Sequence, residues 1–151
     1  MTKHDVHEAS AVDIPFLGDL FARSGMFSQE EVGALAGMLP EQLADPAHVW
    51  LRSAGGAAYM TLDGLSRDVW NLWFLGTLPV ARRQGQGNAL LHAAEHGARD
   101  RGGRLMLIET SSGDAFDPAR ALYARRGYTA QGRIADYYAP GEAKVIMARA
   151  L

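Results

Sequence analysis

The chain of 151 residues has no cysteine. That absence removes thiol nucleophiles, disulfides and C-x-x-C zinc sites together, and it accords with a reducing compartment. No apolar run approaches the roughly 20 residues needed to span a bilayer. The polar start, MTKHDVHEAS, lacks the apolar segment of a secretory signal. A cytoplasmic protein with no membrane partner is therefore expected. A net charge of only −2 argues against nucleic acid as the main partner. Internal repeats, low-complexity tracts and interdomain linkers are also missing. The length suits one domain over residues 1–151, with a core large enough to need no structural metal.

The small net charge conceals an asymmetry. Residues 1–70 carry 4 basic and 10 acidic side chains, and residues 71–151 carry 11 and 7. A basic C-terminal half can receive a polyanion, and an acidic N-terminal half can attract a cation. Chance clustering of solvated charges explains the same numbers.

Hydrophobic periodicity and capping signals divide the chain into short elements. Residues 5–10 suit a first strand. Asp13 and Pro15 open a helix to about Ala22. Ser28 and Glu31 form a capping box for a second helix, expected to end near Pro40. His48–Ser53 and Ala57–Leu62, joined through Gly55-Gly56, read as a hairpin. The apolar run Asp68–Leu78 predicts a central strand buried on both faces. A helix follows Gly87 and runs to about Arg101, where Gly102-Gly103 stops it. Arg104–Thr110 is a further strand, and Asp117-Pro118 opens a helix to Arg126. The last hairpin turns at Pro140-Gly141. This order predicts an α/β fold of three layers around a mixed sheet.

Two motifs share the region Thr77 to Gly102. In the first, a strand enters a basic, glycine-bearing loop that opens a helix, an arrangement that can hold phosphate. Free amides at a helix N-terminus and the helix dipole favour an anion, Gly85 and Gly87 allow close approach, and Arg82 and Arg83 add charged donors. A tight turn with exposed arginines gives the same pattern. The loop is not a P-loop, because Asn88, Ala89 and Leu90 follow Gly87. A dinucleotide fingerprint would need Gly or Ala where Leu90 stands, although Glu109 lies near the usual ribose-binding offset. The second motif, His92, Glu95 and His96, spells H-x-x-E-H. Leu90, Leu91, Ala94 and Ala98 form the apolar stripe of this helix, so the three polar residues are expected on its wet side, with no third ligand for zinc.

Read with its flanks, the loop resembles the GNAT superfamily of acetyl-CoA-dependent N-acetyltransferases. TLPVARRQGQGNALL matches a strand ending V-x-P followed by R/Q-x-x-G-x-G/A, through Pro79, Arg82, Gly85 and Gly87, with Thr77 for the usual Val. ARALYARRGY matches the second signature, L-Y-x-x-x-G-[FY], through Leu122, Tyr123, Gly127 and Tyr128. IETSS and DYYAPGEAKVIMARAL are similar to a common bacterial subgroup. The resemblance is specific from about residue 68 onward. One departure is Phe116, where the family often has Asn.

The resemblance implies a three-layer fold whose mixed, mostly antiparallel sheet has a splayed parallel strand pair and flanking helices. It places acetyl-CoA between strands Val69–Leu78 and Arg104–Thr110. Pantetheine would bond backbone at Leu75, Thr77 and Leu78, and the diphosphate would rest on the loop of Arg82, Arg83, Gln84, Gly85, Gln86, Gly87 and Asn88. Tyr123 becomes the acid for the departing thiolate, since a phenol near pKa 10 is still protonated where a thiol near 8.5 leaves. The central strand carries no carboxylate, so Glu109 is the candidate base, with a buried structural carboxylate as its alternative. Asp68, Asp136 and a water relay are further options. Tyr137, Tyr138 and Trp70 are candidates for the acceptor side. The expected partner is a small-molecule or peptide amine, with no metal, and a homodimer is left open. A non-catalytic acyl-CoA-binding module and a dinucleotide enzyme are the competing classes.

Overall fold

A computed structural model describes residues 4–151 of the chain. Its seven strands are β1 (His7–Glu8), β2 (His48–Arg52), β3 (Gly56–Leu62), β4 (Val69–Thr77), β5 (Leu105–Ser111), β6 (Thr129–Ala139) and β7 (Glu142–Ala150). The four α-helices are α1 (Ile14–Arg23), α2 (Gln29–Ala44), α3 (Gln86–Asp100) and α4 (Asp117–Arg125). The strands form one sheet in the order β1-β2-β3-β4-β5-β7-β6. Only β4 and β5 run parallel, and every other pair is antiparallel.

Two apolar cores sandwich this sheet. Leu17, Leu20 and Phe21 of α1 and Leu39 of α2 meet Trp50, Ala57 and Phe74 on one face. Leu90, Leu91, Ala94 and Ala98 of α3 meet Met60, Trp70, Leu72, Met106 and Ile108 on the other. Burying each large side chain contributes about 1.5–3 kcal/mol. Phe21→Ala should cost about 3–5 kcal/mol, because its ring packs on Phe27, Trp50 and Phe74 together.

A bulge explains how β4 serves both cores. Tyr59 pairs with Phe74 and Met60 with Leu72, leaving Trp73 as an extra residue on β4. Strand side chains alternate with period two, so one inserted residue exchanges the faces beyond it. Trp70 and Leu72 accordingly enter the α3 core, whereas Phe74 enters the α1 core.

Three local expectations need correction. The first strand is only His7–Glu8. Asp13 does not cap α1 with its side chain; it accepts from the Ser10 N–H at 2.9 Å and from Arg52 Nη1 at 3.1 Å. α2 continues through Pro40 to Ala44. Pro40 is exposed, so the carbonyl its ring deprives can turn to water. Burial of Leu39 and a Gln42–Trp50 hydrogen bond hold the final turn in place. The Ser28–Glu31 capping box forms as expected, with both reciprocal bonds made.

Candidate active site

The sheet opens between its two parallel strands. β4 pairs with β5 only from Val69↔Leu105 to Leu72↔Ile108. Beyond that point β4 stays bonded to β3, while Glu109–Ser111 of β5 stay bonded to β7. Bulges increase local twist and bend a strand, and the Trp73 bulge lies where β4 departs. The Leu78 N–H donates to the Gly55 carbonyl at 2.7 Å. By the alternation of an antiparallel ladder, Gly76 and Phe74 also turn their backbone groups toward β3. The backbone N–H and C=O groups of Leu75 and Thr77 therefore face the opening.

The opening is a cleft of about 360 Å³. Leu72, Trp73, Phe74 and Leu75 form one wall, and Ile108, Glu109, Thr110 and Ser111 form the other. Phe116, Ala119 and Tyr123 close one side, and Met26 and Phe27 arrive from the α1–α2 connection. Tyr138 and Glu142 complete the rim.

At the end of β4 the chain enters the basic loop. Gly85 precedes α3 in the left-handed region, with φ of 79°, which glycine adopts at little cost. The first bond of the helix ladder is Ala89 N–H to Gly85 carbonyl at 3.1 Å. The amides of Gln86, Gly87 and Asn88 thus have no acceptor within the helix. A Cβ on Gly87 would make only an ordinary 3.5 Å contact with Leu122. Packing does not demand glycine there; its missing side chain leaves the amides approachable. Arg83 is exposed and holds φ of 59°, a conformation that costs a non-glycine residue about 1–2 kcal/mol.

Other loop residues serve the loop's own architecture. Arg82 Nη2 donates to the Ser24 carbonyl at 2.7 Å, at the C-terminus of α1. The Gln86 side chain is buried, and its Oε1 accepts from Ser53 Oγ at 2.6 Å and from Gly55 N–H at 2.9 Å. Gln84 Nε2 donates to the Val80 carbonyl at 2.9 Å. The Leu78 carbonyl accepts from the Ala81 N–H, so both of its backbone groups are engaged.

Tyr123 belongs to the α3-side core and lines the cleft. Burial pushes its hydroxyl up to about 12. Glu109 lies across the cleft with Oε2 2.8 Å from Lys144 Nζ. The hydrogen bond to Glu109 raises the Lys144 ammonium above its ordinary value, and that ammonium also sits 4.3 Å from the centre of the Tyr137 ring. Ser111 Oγ donates to Glu142 Oε1 at the rim. Asp68 and Asp136 are not among the lining residues; Asp136 Oδ1 accepts from Gly141 in the last hairpin. Trp70 is a core residue, 2% exposed.

The H-x-x-E-H helix requires a correction. His92 and His96 are exposed, but Glu95 is fully buried. Glu95 lies one helical turn from Leu91, about 40° around the axis, which puts it on the flank of the apolar stripe. Arg126 and Arg149 cover that flank, with Arg149 Nη1 2.9 Å from Oε2 and Arg126 on Oε1. Arg126 thus stands between the carboxylate and His92, with Nη2 on Oε1 and 3.2 Å from His92 Nδ1, and a cation fills the place a metal would need. Among the described residues no group of three or more His, Cys, Asp or Glu could hold a metal, and no helix is long and apolar enough to cross a membrane. Sequence reading missed Glu142, Trp73, Met26 and Phe27. Their only visible signal was the aromatic density of β4 and the loop before α2.

Comparison with known proteins agrees with this architecture. Residues 19–128 match the model of the acetyltransferase (GNAT) family. No curated protein matches the chain significantly. A protein assigned to the GNAT family from Desulfovibrio desulfuricans superposes with a TM-score of 0.86 at 23% identity, covering 97% of this chain and 98% of that one. The ribosomal-protein-S18-alanine N-acetyltransferase of Escherichia coli gives 0.78 at 19%, covering 97% and 92%. An aminoglycoside 6'-N-acetyltransferase solved with coenzyme A gives 0.78 at 17%, covering 97% and 96%. At these identities the structures attest a shared fold, and the match across residues 19–128 attests descent: the chain belongs to the GNAT family of acetyltransferases.

Proposed function

We propose that this chain, as one catalytic domain, transfers the acetyl group of acetyl-CoA to a primary amine of a small molecule or peptide by direct attack in a ternary complex. One observation carries the reading. β4 parts from β5 after Leu72, then leads directly from the gap to a helix N-terminus with free amides, while Tyr123 walls the same gap. The exposed backbone of Leu75 and Thr77 suits the amide-bearing pantetheine arm, which satisfies groups that a lost strand partner leaves open. The amides of residues 86–88, with Arg83 and Asn88, suit the diphosphate. Arg82, Gln86 and Leu78 support this cradle through Ser24, Ser53 and Gly55.

The amine nitrogen attacks the thioester carbonyl, forming the N–C bond and a tetrahedral oxyanion. An N–H of Leu75 or Thr77 is the donor for that oxygen. Collapse breaks the C–S bond and releases a thiolate. At about 12 the Tyr123 hydroxyl remains a donor at neutral pH. Full transfer to a thiolate near 8.5 would be uphill by roughly three orders of magnitude. Tyr123 therefore serves by hydrogen-bonding the departing sulfur, and the thiolate takes its proton from solvent. Glu109 receives the amine proton. Lys144 Nζ already occupies this carboxylate, 2.8 Å from Oε2, and this favours a second reading, an acyl-CoA-binding module without transfer.

Acetylation of an amine panel, run beside thermal shift with acetyl-CoA, separates the readings. At a hundredfold excess over Kd a ligand adds about 2.7 kcal/mol, which for this size raises Tm by roughly 5–10 °C. A shift with product supports transfer, and a shift with no product on any amine supports the module. No shift at saturation removes both.

A further inference from the structure

Glu95 is the one fully buried charged side chain among the described residues, and the cleft chemistry does not use it. Arg126 Nε donates to Oε1 at 3.2 Å, and Nη2 donates to the same oxygen. Arg149 Nη1 stands 2.9 Å from Oε2. Burial pushes the Glu95 carboxyl up, but the hydrogen bonds from Arg126 and the charges of Arg126 and Arg149 outweigh it, leaving it below its ordinary value. Such a cluster is a poor way to gain stability, since buried ion pairs often do no better than apolar side chains of equal volume. What it does supply is fixed direction.

Arg126 is the residue through which that direction is transmitted. Its Nη2 lies 3.2 Å from His92 Nδ1, and its Nη1 lies 3.5 Å from Asn88 Oδ1 in the first turn of α3. Its backbone N–H donates to the carbonyls of Leu122 and Tyr123, each at 3.1 Å. The Tyr128 N–H takes the Tyr123 carbonyl as well, at 3.0 Å. One guanidinium is therefore attached to the middle of α3, to the first turn of α3, and through its own backbone to the turn that carries Tyr123. Arg120 Nη1, donating to the carbonyls of Ser111 and Gly113, ties the N-terminal half of α4 to the end of β5, and Arg126 ties the other end to α3. A displacement of about 1 Å can cost a hundredfold in rate.

We propose that Glu95 is a positioning residue: acting through Arg126, it sets the last turn of α4, and with it the Tyr123 hydroxyl, relative to the phosphate-binding end of α3. The proposal rests on the transfer reading and on the role given there to Tyr123. Its test is a double-mutant cycle in kcat and KM for acetyl-CoA, with Glu95→Gln and Tyr123→Phe alone and combined, measured well below each variant's Tm. Glu95→Gln should lower kcat roughly tenfold, a change within the range of one misplaced donor, and should move KM less than about twofold. Added to Tyr123→Phe, it should lower kcat no further. Additive losses, or an unchanged kcat in Glu95→Gln with only a lower Tm, would return Glu95 to a purely structural role. Should Glu95→Gln fail to fold, Arg126→Lys keeps the charge, removes the fork, and must show the same non-additivity. A wild-type rate indifferent to Tyr123→Phe overturns the reading beneath the proposal, and the proposal with it. A Tyr123-dependent rate with additive losses overturns the proposal alone.

Discussion

The two walls of the cleft are built from opposite materials. The β4 wall, from Leu72 to Leu75, has no titratable side chain and offers backbone. The β5 wall offers Glu109, Thr110 and Ser111, backed by Lys144 and Glu142. The cause lies in the layers. The bulge at Trp73 commits Leu72 to one core and Phe74 to the other, so β4 has only its edge left to give. The core under α1 and α2 draws on β2, β3 and β4 and ends there. The face of β5 bearing Glu109 is consequently free to hold polar groups without the desolvation a core imposes. Backbone recognises a constant ligand and side chains do chemistry, so damage to the two walls should separate binding from turnover.

The largest effect should come from Tyr123→Phe. We expect kcat to fall about a hundredfold with acetyl-CoA affinity nearly unchanged, the size of a lost donor to a leaving group. Steady-state kinetics with a titration of acetyl-CoA measures both quantities, and an unaltered rate would return Tyr123 to the core. Burial pushes this hydroxyl up to about 12, so it stays protonated as pH rises and is lost only near that value. The kcat profile should therefore show no alkaline fall between about pH 8 and 10 from this group. A rate that collapses across that interval in the wild type but not in Tyr123→Phe contradicts the assignment.

Glu109→Gln should come next, with kcat about tenfold lower and KM for acetyl-CoA nearly unchanged. The glutamine keeps the shape of the side chain but cannot accept a proton from the amine. An unaltered kcat would mean that Glu109 only anchors Lys144 and that another group accepts the amine proton.

Legibility in the sequence followed the range of the causes. Val69–Thr77, α3 and α4 announced themselves through apolar runs, Gly87, Gly102-Gly103 and Asp117-Pro118, all local signals that local chemistry obeys. Tyr123 was singled out by the family resemblance and the loop by its glycines and arginines, and the structure brings Tyr123, Leu75 and Glu109 to one cleft. Non-local causes stayed hidden. Glu95 was placed in water because its partners are 31 and more residues away, in elements whose approach no periodicity encodes. Arg82 was read as a ligand for phosphate, and its bond to Ser24, 58 residues distant, was invisible. Pro40 ended α2 on local rules, and burial of Leu39 overrode them.

The smallest effect tests the binding side of the comparison. Arg83 is exposed, so its contribution to a bound diphosphate is screened and should amount to about 1 kcal/mol. Arg83→Ala should thus weaken acetyl-CoA by roughly fivefold, leave kcat unchanged, and flatten the dependence of Kd on salt. Because Arg83 holds φ of 59°, Arg83→Gly should lose the same affinity while relieving a strain that Ala retains. Titration calorimetry at two salt concentrations, with the two Tm values alongside, resolves charge from conformation. Equal loss in both variants assigns the affinity to the guanidinium. Loss in Arg83→Gly alone would assign it to a stiff loop that holds the amides of residues 86–88 in place, and the β4 side would then bind through backbone throughout.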